Sequence, residues 1–287
     1  MGPMGTPALQ ADGDGRAVLR ISAIPDQNPE KLNRLYGLLV AELEERLGVP
    51  VQYVPVVDYT AAVTAFRNGD LDLVWFGGLT GVQARLQSPG AQVVAQRDID
   101  ARFTSVFIAH RDSGLLPITD IRELVALRGK RFSFGSESST SGRLMPQHFL
   151  ARAGVTPDQF AGGHAGFSGS HDSTLRLVES GSYEAGALNS QVWESRVREG
   201  SVDTDAVRLI WVTPGYPNYH WVAQGDLVRR FGTDIHSELR HALTGLSLDD
   251  PRGATILGLF GATAFTPATA AAYAPIEAIG REIGKIR

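Results

Sequence analysis

Ser136-Glu137-Ser138-Ser139-Thr140-Ser141-Gly142 is the stretch on which the reading of this chain turns. Before it, Arg131-Phe132-Ser133-Phe134 alternates apolar and polar residues and reads as a strand. After it, residues 143–153 read as a helix. A run of hydroxyl side chains between the two lies where unpaired backbone N–H groups and the positive end of a helix dipole gather. Hydroxyls and amides together make a site for an anion without a lysine or arginine. The plainer reading of the same residues is a Ser-rich loop that ends in a routine N-cap.

Working outward, the chain alternates strands and helices. Residues 18–22 are a short apolar strand. Asn28-Pro29-Glu30 opens a helix, with Asn28 as cap and Pro29 in the first turn. Leu32, Leu35, Leu39, Leu43 and Leu47 follow at helical spacing, and Gly48 ends the run. Residues 51–57 read as a strand, Asp58 caps a second helix to about Asn68, and residues 71–75 form the next strand. A helix over residues 79–86 and strands over 92–96 and 104–109 complete a β-α-β-α-β-α-β order. That order predicts a mostly parallel sheet covered by helices.

A second unit begins near His110. Residues 118–127, 143–153, 173–179 and 191–198 read as helices, and residues 131–134, 185–188 and 207–212 as strands. Pro214-Gly215-Tyr216-Pro217-Asn218 is a turn-rich crossing, and residues 226–287 read as largely helical. The expected class is α/β, with two lobes joined by two crossings. Residues 17–109 plus 214–287 form the first lobe and residues 110–213 the second. Ligands of open α/β sheets bind at the carboxyl ends of strands, so the cleft between lobes is the expected site.

Composition narrows the function. Lys and Arg number 27 and Asp and Glu 31, a net charge of −4 that argues against a general nucleic-acid binder. With no cysteine, disulfides, thiolate metal sites and cysteine nucleophiles are excluded. The histidines are not spaced as metal ligands, and neither a metal nor a cofactor is expected. Residues 1–16 mix Gly, Pro and Asp, lack the pattern of a secretory signal, and are expected to be a floppy lead-in or an artificial start that replaces a leader.

Ser138-Ser139-Thr140-Ser141-Gly142-Arg143-Leu144-Met145-Pro146 resembles a segment of the phosphonate, phosphite and phosphate-type solute-binding proteins of ABC importers. Other pieces match in order: Ala23-Ile24-Pro25 with Leu35, Tyr59 after Val56-Val57-Asp58, Asp70 to Gly77, Thr104 to Ile108, and Gly169-Ser170-His171-Asp172. The resemblance spans about Arg20 to Leu259. The wording around Phe103-Thr104-Ser105, Ala187-Leu188-Asn189 and Tyr216-Pro217-Asn218-Tyr219 is similar to a branch named for selenate transport.

The resemblance implies a two-lobed type II periplasmic-binding-protein fold and a set of ligand-binding residues. Ser139, Thr140 and Ser141 match positions that grip an anionic head group, with Ser136 and Gly142 in the same turn. His171 is implied as a contact, or else it only braces its helix; Ser170 and Asp172 are read as caps. Tyr59 is implied as a donor from the first lobe, or else as a packed aromatic. Of Trp75 and Phe76, one is read as cleft wall and one as core, and Phe76 is placed in the site with Gly77. Ser105 joins the set.

Phe103 stands where several relatives carry tyrosine, so a phenol hydrogen bond is lost there. Asn189 stands where aminoalkyl-phosphonate binders carry an acid that pairs with an ammonium. It is read either as a neutral pocket wall or as the cap of the following helix. A neutral wall favours a plain oxyanion or a small alkyl phosphonate.

The implied function is capture of a small tetrahedral oxyanion or phosphonate (phosphite, phosphate, methylphosphonate or selenate) and delivery to an ABC permease with its ATPase. The protein is expected to be a monomer, periplasmic or otherwise extracytoplasmic, with a lipid-anchored native form as one option. The rivals are an enzyme or a sensor module on the same fold. Against an enzyme, the chain has no G-x-S-x-G elbow, no H-E-x-x-H and no Walker A motif. Against a sensor, the chain shows no appended signalling domain.

Overall fold

In the computed structural model, residue 13 and residues 15–287 are described. The lead-in expected over residues 1–16 therefore falls largely outside the described residues. Strands β1 (Leu19–Ala23), β2 (Val51–Tyr53), β3 (Leu73–Phe76) and β4 (Gln92–Arg97) alternate with helices α1 (Pro29–Leu47), α2 (Tyr59–Arg67) and α3 (Gly78–Leu86). The local signals that start α1 act as expected. The Asn28 side chain accepts from the Glu30 N–H, Pro29 fills the first turn, and Gly48 ends the helix at φ 66°. Leu32, Leu35, Leu39 and Leu43 share its buried face.

The chain then crosses to a second sheet. Strand β5 (Ser105–His110) is followed by β6 (Phe132–Phe134), α4 (Met145–Arg152), β7 (Gly166–Phe167), α5 (His171–Glu179), β8 (Ala185–Asn189), α6 (Ser190–Arg198) and β9 (Val207–Val212). It returns through β10 (His220–Ala223) and ends with α7 (Val228–Phe231), α8 (Ile235–Thr244), α9 (Pro251–Phe260), β11 (Phe265–Pro267) and α10 (Ala274–Glu282). The first sheet has the order β11-β4-β10-β3-β1-β2, and the second β7-β6-β8-β5-β9.

The sheets are mixed where mostly parallel ones were expected. Strand β10 lies between β3 and β4 and runs antiparallel to both. Strand β5 is likewise antiparallel to β8 and β9. In each sheet the strand that arrives from a crossing enters from the opposite end, which reverses its direction. Strand β5, assigned to the first unit by the expected boundary at Ala109, belongs by pairing to the second sheet. The first crossing thus comes earlier, between Arg97 and Ser105. Strand β10, which follows the expected crossing and falls in no expected element, and β11, read as part of a largely helical tail, are short and formed by pairing. The helix expected over residues 118–127 is a 3₁₀ turn at Ile121–Leu127, opened by an Asp120–Glu123 capping box.

The two crossings are tied together. Phe103 and Tyr216 exchange backbone hydrogen bonds of 2.8 and 2.9 Å. The Asn218 N–H donates to the Asp100 carbonyl, and the Tyr219 N–H to Asp100 Oδ1. Asp100 is itself held by Arg97, whose Nε and Nη2 reach its two oxygens at 2.6 and 2.8 Å. Both residues are buried. The guanidinium also donates to the Phe260 carbonyl at 2.7 Å and lies over the rings of Tyr219, Trp75 and Phe103.

Removing one partner of a buried pair leaves an uncompensated charge. Asp100→Ala should destabilise the protein by about 3–5 kcal/mol, with Arg97 stranded between the crossings. Urea unfolding of the variant measures this directly. A loss below about 1 kcal/mol, the range of an exposed pair, would show that the crossings do not depend on it.

Candidate functional site

The hydroxyl-rich turn is built by a proline. Pro146 in α4 has no N–H for the carbonyl of Gly142, which instead accepts from Gly135 N at 2.9 Å. The chain entering α4 is wound wide over Thr140–Leu144, with Leu144 N donating to the Ser139 carbonyl at 2.9 Å. Ser139 caps this turn, its Oγ accepting from Gly142 N at 2.9 Å. The first N–H groups of such a turn have no partner inside it. Gly142 is required for close approach: a Cβ there would meet Ser139 Oγ at 2.8 Å and His171 Cε1 at 3.2 Å. Ser136 is half-buried and works within the loop, its carbonyl accepting from Ser139 N and its Oγ from Ser138 N.

The start of α3, from the first sheet, faces this turn. Leu79 N donates to Thr140 Oγ1 at 2.8 Å, a bond between elements of the two sheets. Gly78 N donates to Asn218 Oδ1 at 3.1 Å. A Cβ on Gly77 would come within 3.2 Å of Thr140 Oγ1, so the glycine lets the two walls approach. Tyr59 opens α2 beside its Asp58 cap. It is buried, and its hydroxyl lies beside Ser139 but makes no hydrogen bond of ordinary geometry among the described residues. Burial first, then the Asp26 carboxylate, push the phenol well above its ordinary range, against an opposing pull from Ser139.

A second cluster stands beside the turn. His171 opens α5, and its backbone N–H donates to the Asp26 carbonyl at 3.1 Å, again between the sheets. Its Nδ1 accepts from Asn189 N at 3.4 Å, which assigns the proton to Nε2, 3.3 Å from Tyr219 Oη. Burial lowers the imidazole to about 4, so it is neutral at pH 7. Both ring nitrogens are engaged inside the chain, and His171 acts here as a brace between the sheets. Asn189 fills the capping role expected of it and also bonds to Tyr219. Its Oδ1 caps α6 by accepting from Val192 N at 3.0 Å, and its Nδ2 donates to Tyr219 Oη at 3.0 Å. Tyr219 Oη in turn donates to Asp26 Oδ2 at 2.8 Å.

The remaining expected residues separate into supports and core. Ser105 Oγ donates to the Ser141 carbonyl at 2.7 Å and shares a hydrogen bond with Tyr216 Oη, which backs the turn from the second sheet. Phe103 packs edge-on to Tyr216 and Tyr219 at the crossing. Phe76, placed in the site by the sequence, packs against Phe66 in the core. Strand alternation turns its neighbour Trp75 the other way, to stack on Tyr219 at 5.6 Å. Ser170 caps α5 as expected, through Ser173 N. Asp172, also expected as a cap, instead pairs with Arg196 and accepts from Asn28 N, across to the first sheet. Tyr219 and Asp26 were missed. Tyr219 stands in the Tyr216-Pro217-Asn218-Tyr219 motif, which assigns it no role, and no local signal marks Asp26.

The site is therefore a concentration of neutral donors from two sheets, and the one cation of the turn, Arg143, is committed to Gln147 and the Glu137 carbonyl. A model of the ABC-transporter phosphonate periplasmic substrate-binding proteins matches residues 21–273. A probable ABC transporter phosphite binding protein, PhnD1 of Prochlorococcus marinus strain MIT 9301, is 51% identical over 270 residues, covering 94% of this chain and 91% of that one. A solved structure of PhnD1 in complex with methylphosphonate matches with a TM-score of 0.92, covering 94% of this chain and 99% of that one. At 18% identity, a binding-protein component of a phosphonate transporter from Pseudomonas aeruginosa shares the fold with a TM-score of 0.80, covering 94% of this chain and 87% of that one. A family model matched over residues 21–273 and a relative 51% identical over most of the chain identify the protein as a member of the periplasmic substrate-binding family of phosphonate ABC transporters: an extracytoplasmic binding component that works with a permease and its ATPase, and not an enzyme.

Proposed function

We propose that this chain captures a small tetrahedral oxyanion or phosphonate between its two sheets and hands it to the permease. Phosphite, phosphate, methylphosphonate and selenate are the candidates. The observation that carries the reading is the buried Tyr59 hydroxyl, which lies beside Ser139 at the Ser139–Gly142 turn and makes no hydrogen bond of ordinary geometry among the described residues. Burying a hydroxyl without a partner is costly, and an anion oxygen would supply one. The relative PhnD1 is named for phosphite and was solved with methylphosphonate, which supports the same ligand class.

Ser139, Thr140, Ser141 and Gly142 grip the anion, Tyr59 and the Gly77 backbone reach it from the first sheet, and Ser105, His171 and Asn189 hold the walls. Each sheet with its helices is one lobe, and the crossings at residues 98–104 and 213–219 are the hinge. The bond from Leu79 to Thr140 then forms as the lobes close. The working form is a monomer, free in the extracytoplasmic space or tethered to the membrane by a lipid.

Calorimetric titration with the four candidate anions tests the class, and no binding by any of them would overturn it. Thr140→Ala with Ser141→Ala removes two donors, each worth about 1.5–3 kcal/mol toward a charged group. The loss should be on the order of 100-fold or more in affinity, with the fold unchanged by circular dichroism.

Tyr59→Phe should separate binding from stability. Affinity should fall about tenfold or more, while the melting temperature of the ligand-free protein holds or rises, since the orphan hydroxyl is gone. A variant that binds as tightly as the native chain would remove Tyr59 from the site.

The Asn189 wall is tested by ligand charge. Methylphosphonate or an inorganic oxyanion should bind more tightly than 2-aminoethylphosphonate, whose ammonium would be buried without a ready partner. Asn189→Asp should narrow that gap and weaken the plain anion by about tenfold through like-charge repulsion. Tightest binding of 2-aminoethylphosphonate by the native protein would show that Asn189 does not set this preference.

A further inference from the structure

Asp26 is a buried carboxylate that the binding scheme above does not use. It lies in the loop after β1 and touches both lobes. Its carbonyl accepts from His171 N, and its Oδ2 accepts from Tyr219 Oη. Tyr219 Oη also meets His171 Nε2 and Asn189 Nδ2. The His171 ring lies against Gly142, in the turn assigned to the anion. Asp26 is therefore joined to the ligand turn through Tyr219 and His171, with a cavity of about 10 Å3 on its flank, room for about one water.

The charges around Asp26 do not neutralise it. Arg97 is the nearest strong cation, but its guanidinium is already committed to Asp100 and the Phe260 carbonyl. Lys31 on α1 donates to Gln27, and burial lowers its own affinity for a proton. Tyr36 on α1, Tyr53 on β2 and Tyr59 on α2 are neutral phenols, each pushed up by burial and then by Asp26. From the second sheet, His171 is neutral and Asp172 is paired with Arg196.

We infer that Asp26 sets the charge preference of the cleft: when the lobes close on an oxyanion, the Asp26 carboxylate takes up a proton from solvent, so the site resists a second negative charge on its ligand. This rests on the oxyanion reading above. Burial, opposed by Tyr219, Arg97 and Lys31, raises Asp26 to about 6 with the two sheets in contact. At pH 7 it is then mostly ionised. An anion in the adjoining turn is a like charge and raises it further. The sign follows: the protonated form accepts the anion better, so affinity is greatest below about pH 6 and falls as pH rises through neutrality.

Asp26→Asn keeps the size and the acceptor for Tyr219 and abolishes the titration. Phosphite is titrated into both proteins at pH 7, in buffers of different ionisation enthalpy, to count protons. The native protein should take up several tenths of a proton more than the variant. The ratio of the two dissociation constants should move about tenfold between pH 5 and pH 8, with the variant gaining at high pH. The ligand's own protonation cancels in that ratio. Equal proton counts and a flat ratio would overturn the inference while leaving the oxyanion reading intact. No binding of phosphite, phosphate, methylphosphonate or selenate by the native protein would overturn both.

A measurement without ligand adds an independent arm. A carboxylate raised on folding stabilises below its unfolded value and loses that contribution as pH passes the folded one. Asp26→Asn should therefore gain melting temperature over the native chain at pH 8 compared with pH 5, and an unchanged difference counts against the titration. If Asp26→Asn does not fold, Tyr219→Phe serves instead. Loss of the phenol donor should move the proton-uptake curve to higher pH, and an unmoved curve overturns the inference.

Discussion

The Arg97–Asp100 pair is the interaction on which the two-sheet arrangement depends. Two charges are taken out of water where the chain leaves the first sheet and where it returns. Such burial is expensive unless geometry and further hydrogen bonds compensate. Here both carboxylate oxygens are used by the guanidinium, a third guanidinium N–H meets Phe260, and three aromatic faces cover the cation. Asp100 then reaches across to the N–H groups of Asn218 and Tyr219. The gain is specificity of position: the returning strand starts at one defined point, and Tyr219 is delivered into the cleft.

That delivery matters because Tyr219 joins the two halves of the site. Its ring stacks on Trp75 of the first sheet, and its hydroxyl connects Asp26 of the first sheet with His171 and Asn189 of the second. The turn next to it, proposed for the anion, presents hydroxyls and amides, while its Arg143 is committed to Gln147 and the Glu137 carbonyl. A neutral donor site discriminates by geometry and by the count of hydrogen bonds, since no point charge rewards any anion that comes near. It is also sensitive to nearby negative charge, because the turn's one cation is already engaged elsewhere. A buried carboxylate one phenol away is therefore part of the electrostatics of the site.

Much of the fold could be read residue by residue. Asn28, Pro29 and Gly48 mark the ends of α1 because capping chemistry acts within a few residues. The strand–hydroxyl turn–helix unit at residues 131–153 is local in the same way, and so is the Ser170 cap of α5. Strand β10 was not legible. His220-Trp221-Val222-Ala223 is four residues long and follows a turn, and it becomes a strand because β3 and β4 leave a place between them. Strand β11 is three residues at a sheet edge and contains Pro267. Direction of pairing is likewise absent from local sequence, so the mixed sheets could not be told from parallel ones.

The candidate site divides along the same line. By itself the sequence determined the hydroxyl-rich turn at Ser139–Gly142, the glycine at Gly77, the helix starts at Tyr59 and His171, and the family to which their order points. Tertiary structure decided which atoms those residues have free. It turned Phe76 into the core and Trp75 toward Tyr219, and it occupied both ring nitrogens of His171. It also brought Asp26 to Tyr219 across 193 residues of chain. The physical reason is range: caps, turns and strand alternation are set by neighbours in sequence, whereas desolvation and the pairing of buried polar groups are set by whatever the folded chain places within a few ångströms.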